Sequence, residues 1–158
     1  MTGADSPSIK KILVPVDGSP VSLKAAHYAL HLATLENAKV VVMHVLEGVK
    51  QGGAIGLQAR YGNVKLVEGF EKVRTQAAEK WIGEIIDLGK KHGIDVKSEV
   101  VTDDGTSEEG MIIKHVKEHG TDLVVIGSRG RSKFKRLLVG GVANAVVNLS
   151  PCPVLVVR

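Results

Sequence analysis

Two pairs of glycines near the C-terminal end of the chain are best suited to bind an anion. Gly127 and Gly130 follow an apolar run, and after nine further residues Gly140 and Gly141 stand at the start of a predicted helix. Glycine lets a ligand approach the backbone closely, and the N–H groups at a helix start carry partial positive charge. The spacing predicts a phosphate-binding loop, for which a solvated glycine turn is the alternative.

The loop between these glycines is basic, which favours the phosphate interpretation. It contains no acidic residue, and its basic residues are Arg129, Arg131, Lys133, Lys135 and Arg136. The whole chain has a net charge of +4, which suits nucleotides, nucleic acids and acidic surfaces alike. Only 3% of the residues are aromatic, so few rings are present to stack on single-stranded nucleic acid, and that partner is disfavoured.

The first apolar run ends at Asp17, followed by Gly18 and Ser19. A carboxylate at this place accepts hydrogen bonds either from a base or ribose or from the local turn. The glycine pattern of a P-loop and the dinucleotide fingerprint are both absent from the sequence. The ligand is therefore not expected to be held by either of those common motifs.

Other residues that can do chemistry are explained more simply by structure. His27 and His31 lie four apart on a predicted helix without an evident third ligand, so no metal site is predicted. His44 ends a strand and is interpreted as a core residue or a support for the pocket. Asp103 and Asp104 are interpreted as a solvated turn. The single cysteine, Cys152, cannot form an internal disulfide, and we interpret it as a small packed residue.

The elements that position these residues alternate along the chain. Five strands are predicted at 12–16, 40–45, 96–101, 123–126 and 153–157, and four helices at 20–35, at 64–92, from the cap Thr106 to about Gly120, and at 138–149. Ser19 is the predicted cap of the first helix. Residues 1–8 are expected to form a flexible tail and residues 48–63 a mobile loop.

Alternating strands and helices predict a single α/β domain over 1–158, with a parallel sheet covered by helices on both faces. The strand order 2-1-3-4-5 and the order 3-2-1-4-5 both remain open at this point. In either order, a ligand binds beyond the carboxyl ends of the strands, where the order reverses. No apolar run is long enough to span a membrane, and no secretory signal is evident, so a cytoplasmic protein is expected.

Several of these segments together resemble the universal stress protein family. They are residues 12–19, the His44-Val45 strand end, the spaced glycines and the closing run at 152–157. The resemblance covers essentially the whole chain. It implies the order 3-2-1-4-5 of the adenine nucleotide alpha hydrolase-like fold, a homodimer through the last strand, and ATP, or AMP or ADP, bound with Mg²⁺ or Mn²⁺.

The resemblance also implies roles for individual residues. Pro15, Val16, Asp17 and Val45 would line the adenosine pocket, Ile126 and Gly127 would face the ribose, Arg129 belongs to the basic loop, and Gly130, Gly140, Gly141, Val142 and Ala143 would hold the phosphates. Gly105 matches a glycine near the rim. The nucleotide-binding branch usually has Ser or Thr where this chain has Gly141, and a second branch does not bind ATP.

We therefore expect an ATP-binding sensor or regulator with an unknown client protein. Phosphoryl transfer needs a placed lysine, metal carboxylates and an oriented acceptor, so we expect no enzyme activity beyond slow ATP hydrolysis. The alternatives are a nucleotide-free dimeric interaction module, a nucleic-acid-binding protein, and an enzyme with a core like that of electron-transfer flavoproteins or pyrophosphatases.

Overall fold

The computed structural model describes residues 7–48, 53–103, 105–130 and 139–158. This part of the chain forms five strands and five helices, and one or two helices separate successive strands. They are β1 (Lys11–Pro15), α1 (Pro20–Glu36), β2 (Lys39–Leu46), α2 (Ala54–Arg60), α3 (Val64–Lys91), β3 (Val96–Thr102), α4 (Glu108–His119), β4 (Leu123–Gly127), α5 (Gly141–Leu149) and β5 (Val154–Val157).

The five strands form one parallel sheet in the order β3-β2-β1-β4-β5. This confirms 3-2-1-4-5 and eliminates 2-1-3-4-5. The chain builds outward from β1 to β3, and then crosses to the other side of β1 to add β4 and β5. The order reverses between β1 and β4, so their carboxyl ends diverge there and leave a crevice.

The sheet is buried on both faces, as its continuous apolar strands predict. Side chains alternate along β1: Ile12 and Val14 pack in one cluster with α1 and α3, and Leu13 packs in another with α4 and α5. All three residues are at most 1% exposed. A polar side chain at any of these positions would lose its hydrogen bonds to water, which is unfavourable. This explains why the sequence of β1 is a continuous apolar run.

Two helix starts test the predicted caps. Ser19 caps α1 as expected, since its hydroxyl accepts a hydrogen bond from the Ser22 N–H. The predicted cap Thr106 is wrong, because Ser107 caps α4 by accepting from the Gly110 N–H. An N-cap side chain accepts a hydrogen bond from the N–H two or three residues further on. Thr106 and Ser107 both carry a hydroxyl that can do this, so the sequence alone does not decide between them.

The segment 48–63, predicted as a loop, contains the helix α2, so the four predicted helices become five. Residues 49–52 of this segment lie outside the described part. Ala, Leu, Gln and Arg all favour helix, and α2 packs against α3. The buried residues of α3 lie in its C-terminal half and include Ile82 and Ile85, whereas Phe70 and Val73 in the first half are exposed.

None of the helices in the described residues is both long enough and apolar enough to cross a membrane.

Candidate functional site

A cavity of about 400 Å³ opens at the carboxyl ends of β1, β2 and β4, at the point where strand order reverses. This volume lies in the range of about 300–1,000 Å³ that is usual for small-molecule sites. The twelve residues predicted to bind the ligand all line it: Pro15, Val16, Asp17, Val45, Ile126, Gly127, Arg129, Gly130, Gly140, Gly141, Val142 and Ala143. The fold therefore brings together residues that are up to 128 positions apart in the sequence.

Asp17 both forms the turn after β1 and faces the cavity. Its Oδ1 atom accepts a 2.9 Å hydrogen bond from the Ser19 N–H. Asp17 therefore stabilises the local turn, which is one of the two roles that its position in the sequence allowed. Gly18 has a φ of +79°, and a Cβ atom there would lie 2.7 Å from Nε1 of Trp81. The turn therefore requires glycine both for its backbone conformation and for its packing against α3.

The start of α5 forms the opposite wall. Gly140 is its N-cap, and since glycine has no side chain, no hydroxyl or carboxylate of the cap occupies the helix start. The N–H groups of Gly141, Val142 and Ala143 belong to the first helical turn, whose donors have no acceptor within the helix. They supply the backbone donors and the positive helix end that suit an anion.

Gly140 itself departs from its predicted role as a backbone donor. Its N–H group donates a 2.6 Å hydrogen bond to the carbonyl of Ser128. That bond ties the start of α5 to the loop after β4. Gly140 therefore shapes the cavity, while its N–H group is already engaged.

Six further residues line the cavity that the sequence did not predict as binding residues: Ser22, His44, Glu47, Arg74, Glu108 and Ser128. The Nδ1–H group of buried His44 donates to the Val16 carbonyl at 2.8 Å, which supports the end of β1. Arg74 reaches from α3, and its Nη1 donates to the Glu47 carbonyl at 2.7 Å. Nothing in the local sequence distinguishes Arg74 from a solvated helix residue, so only tertiary structure reveals it.

Glu108 is the first residue of α4, and its carboxyl group is partly buried in the cavity wall. The pKa of Glu108 is raised to about 7, mainly by burial and then by the negative charges of Asp17, Glu47 and Glu109 in that order. Near neutral pH this carboxyl group exists in both protonation states. It can donate a hydrogen bond in one state and accept in the other.

Several other predicted features lie away from the cavity. Gly105 is not among its described lining residues; it has a φ of +99° and donates its N–H to Oδ1 of Asp103. His27 and His31 are exposed on α1. Outside the described residues lie Asp104, Arg131, Lys133, Lys135 and Arg136.

The chain matches the universal stress protein family over residues 8–158. It belongs to that family. Universal stress protein YxiE of Bacillus subtilis is 33% identical over 94% of this chain and 98% of its own length. Another universal stress protein, from Methanocaldococcus jannaschii, is 32% identical over 94% of this chain and 82% of its own length.

Solved structures of the family share the fold. UspA from Lactobacillus plantarum superposes with a TM-score of 0.83 at 21% identity, covering 97% of this chain and 100% of that one. A family protein from Arabidopsis thaliana with AMP bound has a TM-score of 0.62 at 17% identity, covering 93% and 90%. An Archaeoglobus fulgidus member in complex with dAMP has a TM-score of 0.66 at 17% identity, covering 97% and 100%. The fold is therefore the adenine nucleotide alpha hydrolase-like fold.

Proposed function

We propose that this protein binds an adenine nucleotide, with ATP as the principal ligand, and acts as a sensor or regulator of the stress response. The observation that supports this most strongly is the single cavity in which all twelve predicted residues meet. The AMP and dAMP complexes of proteins with the same fold support the choice of adenine. Nucleotide occupancy would then change the contacts made with a client protein.

The two ends of the cavity suit the two ends of a nucleotide. Apolar side chains at Pro15, Val16 and Val45 provide a surface for adenine, and the Asp17 carboxylate is an acceptor for the base or ribose. The phosphates would lie against Gly130 and the first turn of α5. There the backbone donors and the helix dipole favour negative charge.

The carboxylates of Asp17, Glu47 and Glu108 oppose the entry of a highly charged phosphate chain. A divalent ion carried by the phosphates would offset that repulsion, and carboxylate oxygens suit Mg²⁺ or Mn²⁺. Arg74 and Arg129 contribute the positive charge among the described cavity residues. These residues fit a nucleotide that arrives with its metal ion.

Binding rather than turnover is the proposed activity. No lysine is present among the described residues that line the cavity, so a positioned lysine for phosphoryl transfer is not evident there. Slow ATP hydrolysis at most is proposed. We also propose a homodimer through β5, the edge strand; the cytoplasmic location stays a prediction.

The test combines two measurements on the purified protein. Mass spectrometry of small molecules released on denaturation should detect an adenine nucleotide. Calorimetric titration with ATP, ADP and AMP, each with and without Mg²⁺, should show binding at one site per chain. A folded protein that binds none of the three would instead be a nucleotide-free module. Nucleic-acid affinity that falls steeply with salt, without ATP binding, would favour the nucleic-acid alternative.

A further inference from the structure

A second group of metal-ligating side chains lies between β3 and α4, away from the nucleotide cavity. It comprises Glu99 on the edge strand β3 together with His115 and His119 on α4. One ligand atom from each residue lies within 4.8 Å of the others. We propose that these three residues form a binding site for a first-row divalent transition metal, with Zn²⁺ as the best-fitting ion.

His115 provides the observation that points to a ligand. Its side chain is only 6% exposed, and neither ring nitrogen has a hydrogen-bond partner in the described part of the chain. Its Nε2 atom lies 3.0 Å from Oε2 of Glu99, but the contact lacks hydrogen-bond geometry. A buried ring nitrogen without a hydrogen-bond partner is unfavourable, and a cation bound by one nitrogen of His115 and by Glu99 would give that nitrogen a partner.

His119 keeps one ring nitrogen available as a metal ligand. Its Nδ1–H group donates to the His115 carbonyl at 3.1 Å, which leaves the Nε2 lone pair available. Metal-binding histidines usually donate their other ring N–H in this way, because the bond fixes the tautomer and the ring direction. The two rings lie one helical turn apart, stacked with centroids 4.1 Å apart. Spacing of four residues on a helix is a usual arrangement for two histidine ligands.

The donor set identifies the class of metal. Two imidazoles and one carboxylate suit Zn²⁺, Co²⁺ or Ni²⁺, whereas Mg²⁺ and Ca²⁺ prefer oxygen ligands throughout. Three protein ligands leave one tetrahedral position for water, and a cavity lined by these residues and by Met111 and Lys114 adjoins them.

This site is separate from the ion expected with the phosphates. Glu108 lines the nucleotide cavity, and His115 lies two turns further along α4, a rise of about 10 Å. A metal held here would tie the edge strand β3 to α4. Because the ion would bind the folded chain, it would raise the melting temperature.

The test uses full-length protein without a polyhistidine tag, freed of metal by a chelator. Zn²⁺ is titrated in competition with a chromophoric chelator, and Co²⁺ is added separately to record its visible absorption. Wild type should bind one Zn²⁺ per chain and give an intense tetrahedral Co²⁺ spectrum. His119→Ala, an exposed position, should weaken Zn²⁺ binding by at least about tenfold. Glu99→Gln should weaken it in the same direction.

The chain supplies its own control. His27 and His31 have the same spacing on α1 and are exposed, so His27→Ala/His31→Ala should leave Zn²⁺ affinity unchanged. Zn²⁺ should raise the melting temperature of wild type and of this control, but not that of His119→Ala. Circular dichroism confirms that each variant is folded. Wild-type binding no tighter than that of His119→Ala, or a loss of binding only in the control, would overturn the proposal.

Discussion

Oδ2 of Asp17 lies 2.6 Å from the point that a Cβ atom would occupy at Gly130. The turn after β1 and the loop after β4 therefore touch across the place where strand order reverses. Real Cβ atoms do not approach a neighbour this closely, so any side chain at residue 130 must displace the carboxylate or the loop. Asp17 and Gly130 both line the cavity, so a side chain at residue 130 would alter its wall.

Gly130→Ala should weaken ATP binding by roughly tenfold, about 1.4 kcal/mol, because the new methyl group moves the Asp17 carboxylate. Gly141→Ala is the matched control, since no atom of another described element lies within 4 Å of the Cβ position there. Calorimetric titration of both variants with ATP measures the difference. Equal affinities would show that the contact does not shape the binding site.

Asp17→Ala should lower adenine-nucleotide affinity by about 1.5–3 kcal/mol, since a charge-assisted hydrogen bond is lost. Asp17→Asn is the informative partner, because its side-chain oxygen can still accept from the Ser19 N–H and so keep the turn. Circular dichroism should show both variants folded. Unchanged affinity in both would leave Asp17 with only its role in the turn.

Gly141→Ser should bind ATP more tightly than wild type, by about 0.5–1.5 kcal/mol for one added hydroxyl donor. The first turn of α5 accepts serine: Gly141 is not among the glycines with positive φ, and its Cβ would meet no atom of another described element. ATP titration of both proteins measures the gain. If both are folded and neither binds, the result favours the nucleotide-free module.

Glu108→Gln should change how stability depends on pH. Folding raises the pKa of Glu108 from 4.5 to about 7, so the native protein retains a proton that the unfolded chain releases in this interval. The wild-type free energy of unfolding should therefore fall as pH rises from 4.5 to about 7. Glutamine lacks this effect, so above that interval the variant should be more stable by about 2 kcal/mol. This is less than the roughly 3 kcal/mol that corresponds to the full shift, because solvent screens the partly exposed carboxyl group.

Urea unfolding of both proteins across this pH range measures the difference between their free energies of unfolding. Parallel curves for wild type and Glu108→Gln would mean that the Glu108 proton is not linked to folding.

Light scattering should show a dimer at micromolar concentration. Among the described strands β5 pairs only with β4, so its outer edge is available to a second copy. Val154→Lys in β5 should shift the protein toward monomer, whereas Val147→Lys at an exposed position of α5 should not. A wild-type monomer, or equal dissociation of the two variants, would contradict an interface at β5.

The element order was predictable because each signal is local. Continuous apolar strands, the Ser19 cap and the glycine that ends α4 each act within a few residues of backbone. The exceptions are also local: Thr106 and Ser107 are both adequate caps, and the helix formers of α2 stand between glycines. In these cases the alternative caps, or the helical and loop conformations of one segment, differ little in free energy, and tertiary packing determines which of them forms.

The amino-acid sequence by itself determined the succession of strands and helices and the positions of the two glycine pairs, one after β4 and one at the start of α5. Those patterns depend on backbone conformation and burial, which follow from residue type. Strand order by contrast required the family resemblance, since periodicity does not record which strands pair. Only the tertiary structure brought Arg74 and Glu108 to the cavity, engaged the Gly140 N–H, and placed Glu99 beside His115. Contacts between distant segments depend on how whole elements pack, and no local pattern encodes them.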